Sequence, residues 1–209
     1  MNVDISLTIV LIAITVLISY FGFKNETFRS KAVMNGYKVV HDRSYWRMIL
    51  SGFVHKDEMH LFFNMFTLYF FGGVLENSFV YWFGFAGYFW FTLFYLTALI
   101  VSDLPTLLKH RHDPYYNSLG ASGGVSAMVF ASIIIMPFSD ICIFGLICLP
   151  GILLGVMFLA YSYYKSKNGN DMINHDAHIF GALYGVLFMF IIKPDSLFSF
   201  IEELKAWIA

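Results

Sequence analysis

Charge is what this sequence most lacks. Of 209 residues, 13% are Asp, Glu, Lys or Arg, against 58% hydrophobic and 20% aromatic. A soluble domain carries about 25% charged residues, so much of this surface meets something other than water. The formal net charge of −1 leaves no basic footprint, which sets nucleic acid aside as a partner. Cysteine is nearly absent: Cys142 and Cys148 stand six residues apart within one apolar run. On a single helix that spacing turns the two thiols in different directions, so they are expected as unpaired, small apolar side chains. No His-Glu-x-x-His pattern occurs, and there is no low-complexity tract or internal repeat. The first of these absences argues against zincin-type hydrolysis.

Long apolar runs are abundant instead. Six reach the roughly 20 residues that a bilayer requires, at about 5–23, 58–76, 80–102, 120–138, 141–163 and 176–193. They predict an all-α membrane protein, a six-transmembrane-helix bundle forming one domain over residues 1–209 without a soluble appendage. The first run has no basic residue before it and is long for a signal peptide, so it is expected to stay as a membrane helix. Residues 24–56 hold seven of the thirteen Lys and Arg together with Phe28, Val33, Met34, Tyr37, Tyr45 and Trp46. That mixture suits a long first loop of helices lying in the headgroup zone. Tight joins are expected at Asn77-Ser78 and between Pro137 and Ser139. The third loop, 102–119, with Pro105 and Pro114, reads as irregular, and the Lys-, Asn- and Gly-rich fifth loop, 164–174, as mobile.

Six crossings would put the starts of the second, fourth and sixth helices at one membrane face. Polar residues gather at those starts. His55, His60 and Asn64 open the second helix, with His60 and Asn64 one turn apart on one side. Gly120-Ala121-Ser122-Gly123-Gly124 opens the fourth. His175-Asp176-Ala177-His178, followed by Gly181 and Gly185, opens the sixth. Polar groups in apolar helices are functional candidates, and these supply an acyl-transfer site. Ser122 is a nucleophile once a base takes its proton, and His178 is that base. The Ser122 amide at a helix N-terminus, the Asn64 side chain and the His60 ring are donors for an oxyanion. Glycines beside Ser122 admit a substrate backbone, while Gly181 and Gly185 let the sixth helix approach the fourth. Singly, each has a plainer explanation: a packing serine, a histidine bonded to a carbonyl, a common small-residue spacing. Their concurrence on three helices of matched direction does not. Asp176 points to another side of its helix than His178 and reads as an interfacial contact. Glu76 lies about 24 Å along the helix from His60, near the opposite face, so a dyad rather than a triad is expected.

The motifs His60-Leu-Phe-Phe-Asn64, Gly72-Gly73-Val-Leu-Glu76, Gly120-Ala-Ser122-Gly123 and Ala177-His178-Ile-Phe-Gly181-Ala-Leu-Tyr-Gly185, with Trp46-Arg47 and His55 before them, resemble the rhomboid intramembrane proteases. The resemblance runs from Trp46 to Gly185. It implies hydrolysis of a peptide bond in or beside the transmembrane segment of a membrane-protein substrate, by Ser122 and His178. It places Asn64, His60 and Gly120 at the oxyanion site and gives Arg47 and Glu76 structural roles. It also implies lateral substrate entry between the second and fifth helices, capped by the fifth loop, with no metal or organic cofactor. The partners it implies are transmembrane substrates and the lipid bilayer, and a six-helix chain without an extra domain suits a bacterial inner membrane. Where many members carry an aromatic residue against the histidine ring, four positions after the serine, this sequence has Ser126.

Membrane orientation is pulled two ways. The resemblance implies a cytoplasmic N-terminus and an outward active face. Loops one, three and five hold seven, two and two Lys or Arg, against Lys193 and Lys205 on the other side, which favours the reverse. Three rival functions are a catalytically inactive relative that binds membrane clients, a small transporter and a metalloenzyme using His110, His112 and Asp113. The retained Ser122, His178 and Asn64 argue against the first. The transporter expects charges at mid-membrane, which the third to fifth helices lack.

Overall fold

A computed structural model describes residues 6–143, 147–169 and 173–208. Position 5 of the first expected helix, 144–146 of the fifth and 170–172 of the fifth loop lie outside them. The chain opens with α1 (Leu7–Lys24) and continues through three short helices: α2 (Glu26–Ala32), α3 (Gly36–His41) and α4 (Arg47–Leu50). Asn25 and Asn35 begin α2 and α3 as N-caps, their side chains accepting from the Phe28 and Lys38 amides. A 3₁₀ turn at Ser51–Phe53 leads to α5 (Glu58–Thr67), capped by Asp57 through the His60 amide. A π-type turn, Leu68–Gly72, passes α5 into α6 (Gly73–Phe83) without a break.

The expected join at Asn77-Ser78 is not a turn. Ser78 returns its hydroxyl to the Val74 carbonyl inside the helix, and the chain reverses only at Gly84, where φ is 57°. Next, α7 (Ala86–His110) runs straight through Pro105 and absorbs half of what reads as an irregular third loop. Tertiary packing overrides the proline there: Thr106 is buried, and Leu107 packs against the Met34, Val39 and Met48 cluster. After an extended segment comes α8 (Ser122–Ile135), shorter than the expected 120–138.

The fifth expected helix is corrected over residues 141–143 and 147–150. Strands β1 (Asp140–Ile143) and β2 (Ile147–Pro150) pair antiparallel, and only then does α9 (Gly151–Asn168) begin. The chain is therefore not purely α-helical. Cys142 stands directly opposite Cys148 in the ladder, and the two form a disulfide. The unpaired reading of these cysteines was wrong because it assumed a helix. A short apolar run rich in isoleucine suits a strand as well, and a strand pair brings opposed residues together. Finally, α10 (His175–Ile192) and α11 (Asp195–Ile208) complete the fold.

The centre of the molecule is α8. It is apolar on every side and buried on every side, with Gly123, Val125, Ala127, Met128, Phe130, Ala131 and Ile133 all enclosed. α10 lies against it at the closest range the backbone allows. A Cβ on Gly181 would stand 2.1 Å from the Gly123 carbonyl oxygen, and one on Gly185 would stand 2.2 Å from that of Ala127. Both pairs are four residues apart, so two small-residue ridges run along each other. On the opposite flank, Glu76 of α6 accepts from the amides of Leu7 and Thr8 and the hydroxyls of Ser6 and Thr8, at 2.7–2.9 Å. It thus caps the N-terminus of α1 from outside that helix. Arg47 donates to the carbonyls of Val33 and Ser30 and to the Ser44 hydroxyl, closing the end of α2. Among the described residues, α1, α7 and α10 are long and apolar enough to cross a membrane.

Candidate active site

Ser122 is the first residue of α8, and the segment before it must enter the protein interior without helical hydrogen bonds. Each step is paired elsewhere. Ser118 exchanges backbone bonds with Met34, the Gly120 amide donates to the Ser51 carbonyl at 2.9 Å, and the Ala121 amide donates to His55 Nε2 at 3.2 Å. Irregular backbone at depth survives only when it is satisfied by protein in this way. Gly120 has φ of 117°, a region that L side chains rarely adopt. A Cβ there would also lie 2.6 Å from His60 Cε1, so the His60 ring rests on the bare backbone of Gly120. The Gly120 amide is turned to the Ser51 carbonyl.

His55, one of the histidines at the start of the second helical run, proves to be a strut. It is buried, and Ser19 of α1 stands 2.9 Å from its Nδ1. Because the Ser19 hydroxyl donates to the Phe53 carbonyl, Ser19 accepts from His55 Nδ1–H. Nε2 is then the unprotonated nitrogen that receives the Ala121 amide. Both ring positions favour neutral imidazole. Burial, reinforced by the neighbouring His60, holds the His55 pKa down to about 3. The His55 and His60 rings meet edge to face with centroids 5.0 Å apart, so contacts run from Ser19 of α1 through both rings to the backbone of Gly120.

Ser122, His178 and Asn64 line a single cavity of about 300 Å³, walled by Phe63, Phe71, Val125, Val129, Phe130, Leu154 and Phe158. Asn64 is buried. One of its side-chain N–H groups bonds to the His60 carbonyl at 2.8 Å, and the amide carries a second N–H. Ala121, the residue capping α8, has no side-chain acceptor. The first-turn amides of α8, beginning with Ser122, thus present a helix N-terminus suited to negative charge. The two poles of the site are brought together by the glycine contact of α8 and α10, which sets Gly181 on Gly123, one residue past the serine. Asp176 turns away, as its position on the helix requires, to Lys109 of α7 at 3.0 Å and to Ser166 of α9. In the third loop, His110 stacks on the Tyr116 ring at 3.5 Å.

Against this geometry, comparison with known proteins is informative. The Rhomboid domain family matches residues 42–195, which is most of the chain and includes every residue named at the cavity. The chain belongs to the rhomboid family. It is also similar to RHOMBOID-like protein 12, mitochondrial, of Arabidopsis thaliana, with 26% identity over 176 residues, 75% of this chain and 50% of that protein. The chain thus spans about half the length of that relative. It is a rhomboid-family membrane protein.

This rhomboid chain supports its histidine from an unexpected helix. The ring of Phe158, on α9, stacks on His178 with centroids 5.6 Å apart and planes 29° from parallel, and His175 meets the same ring edge-on at 5.5 Å. Ser126, on α8, lines the cavity instead. Nothing in the sequence singled out Phe158, because one phenylalanine in an apolar run carries no positional signal. Asn174 was missed too, although an Asn just before a helix is a recognisable cap.

Proposed function

We propose that this chain is an intramembrane serine endopeptidase that hydrolyses a peptide bond in or next to the transmembrane segment of a membrane-protein substrate. The observation that carries the proposal is the shared cavity. A serine at a helix N-terminus, a histidine and a buried amide line one mostly apolar chamber. An inactive client-binding relative needs none of those three groups converging.

In the proposed reaction, His178 takes the proton of the Ser122 hydroxyl as Oγ attacks the scissile carbonyl. The carbonyl oxygen becomes an oxyanion beside the Ser122 amide, the free N–H of Asn64 and the His60 ring. His178 then returns the proton to the leaving amine, and water, deprotonated by the same histidine, resolves the acyl-enzyme. No metal or organic cofactor enters the scheme. The substrate class goes with a six-crossing arrangement, of which α1, α7 and α10 are long and apolar enough to cross among the described residues. The unbroken helical run of α5 and α6, residues 58–83, is about 39 Å long at helical rise, enough to span. α8 is short for a bilayer but is shielded by its neighbours. Beside the cavity, and sharing Phe63, Thr67, Phe71, Ile133 and Ile141 with it, lies an apolar groove of about 670 Å³. Its Phe66 and Phe70 side chains are exposed, which suits an incoming apolar helix.

The test is covalent labelling by a fluorophosphonate in detergent. Wild type is expected to label, while Ser122→Ala and His178→Ala do not and remain folded. Undiminished labelling of Ser122→Ala would remove that serine as nucleophile. Asn64→Ala is expected to slow turnover by about 10²-fold, the loss typical of an oxyanion donor.

A further inference from the structure

We propose that Asn174 is a positioning residue that locks the nucleophile-bearing and base-bearing segments into one register; this rests on the dyad proposed above. Asn174 is the cap of α10, the helix that carries His178 one turn later. Its Oδ1 accepts from the Ala177 amide at 3.1 Å and from the Thr106 hydroxyl of α7 at 3.0 Å. Its Nδ2 donates to Asp103 Oδ1 of α7 at 3.3 Å and to the Ser118 hydroxyl at 3.4 Å. One side chain therefore uses both donors and both lone pairs, and each bond goes to a different residue. Ser118 lies four residues before Ser122 and is itself bridged to Met34. A cavity of about 10 Å³, bounded by Asp103, Ser118, Asn174, Ser102 and Ser122, joins this cluster directly to the back of the nucleophile.

The physical argument is one of connectivity. Ser122 and His178 lie on different helices, and the glycine contact of α8 with α10 fixes their separation but not rotation or sliding along the ridge. Hydrogen bonds fix those. Asn174 supplies them where the extended segment entering α8, the end of α7 and the start of α10 meet, and its side chain bonds to all three. A cap alone would need Oδ1 only, so Ser or Asp would serve equally. The two donors aimed at Asp103 and Ser118 are what the positioning role requires. Asp103 accepts one of them from within α7.

Three variants separate cap from register. Asn174→Ser keeps a cap for the Ala177 amide but cannot reach Asp103. Asn174→Asp keeps the cap, loses both donors and sets a second carboxylate against Asp103. The double variant Asn174→Asp, Asp103→Asn restores a donor facing an acceptor with the roles exchanged. Fluorophosphonate labelling of Ser122 is expected to slow about tenfold in both single variants, as breaking a buried hydrogen bond and leaving its partner unsatisfied implies. The double variant should recover most of that loss. The pH–rate midpoint of labelling should rise in Asn174→Asp, where a negative charge is added a turn from His178, and stay raised in the double variant, which keeps that charge. Amide hydrogen exchange gives a measurement independent of activity. In Asn174→Ser, exchange should quicken together in residues 118–124 and in the first turn of α10. Wild-type labelling rates in both single variants would overturn the positioning role while leaving the dyad standing. If wild type itself fails to label, the dyad falls, and unchanged exchange at 118–124 in Asn174→Ser would then overturn the coupling as well.

Discussion

An imidazole proposed as a base is useful only in one orientation, and at His178 an aromatic face on α9 bears on the ring. Aromatic pairs of this kind are worth about 0.5–1.5 kcal/mol beyond burial. Phe158→Leu, which keeps apolar volume but not the ring, is therefore expected to lower kcat/KM by about 2- to 10-fold, with the greater part in kcat. Kinetics on a transmembrane peptide would check this, and an unchanged kcat would show that His178 is held by other contacts. Phe158 also lines the cavity that Ser122 and His178 share, so under the proposed function the residue beside the base is also part of the wall facing the substrate. The sequence makes His178 legible because a histidine in an apolar helix is anomalous. Phe158 is invisible in it because its role depends on which neighbour α9 lies beside. His55 falls between: its type was conspicuous, but its use as a neutral strut between Ser19 and Ala121 needed the fold.

At the scale of elements, two devices hold the bundle together without apolar bulk. Glu76 gathers four donors at the start of α1, so Glu76→Ala would strand buried amides of Leu7 and Thr8. A loss of about 1–3 kcal/mol is expected, read as an earlier unfolding transition in detergent, with Glu76→Gln falling between the two. An equal midpoint for Glu76→Ala and wild type would mean that water replaces the carboxylate. The glycine seam of α8 and α10 is the second device, and it goes with the shortness of α8, most of whose surface is covered by protein. The start of α8 was legible from Gly120-Ala121-Ser122, while the hairpin after it was not. Hydrophobicity alone cannot tell a short buried strand from a helix, and in the hairpin a cross-strand pair, Cys142 with Cys148, replaces the helical neighbour relation. Proline likewise misled at Pro105, because α7 gains more from Thr106 and Leu107 in the interior than it loses at one missing amide.

For the whole molecule, the buried His55 ties stability to pH. Its folded value is about 3 against about 6.5 when unfolded. Between these limits the unfolded chain binds one more proton than the folded chain. Stability from this group is thus complete above pH 6.5 and declines as pH falls towards 3, by up to about 1.4 kcal/mol per pH unit. Thermal midpoints in detergent should hold level from pH 8 to about pH 6.5 and fall from there to pH 4, and His55→Gln should flatten the decline. An equal slope in both proteins would assign the acid sensitivity elsewhere. The cations of residues 24–56 also look different in the fold. Arg47 is buried among carbonyls, and Arg29 pairs with Glu26. A charge count that treats all seven as free loop cations therefore overstates their weight on membrane orientation.

What the sequence determined by itself was the solvent and the chemistry. Few charges and long apolar runs can only be accommodated by burial in lipid or in protein, and Ser122, His178, His60 and Asn64 stand out because polar groups are costly there. The tertiary structure decided everything that depends on two segments meeting: the disulfide hairpin, the ring behind His178, the Glu76 cap of α1 and the Asn174 junction. Each of these is a contact between residues far apart in the chain or in different elements, and its energy exists only once packing has brought the partners within hydrogen-bond or van der Waals range.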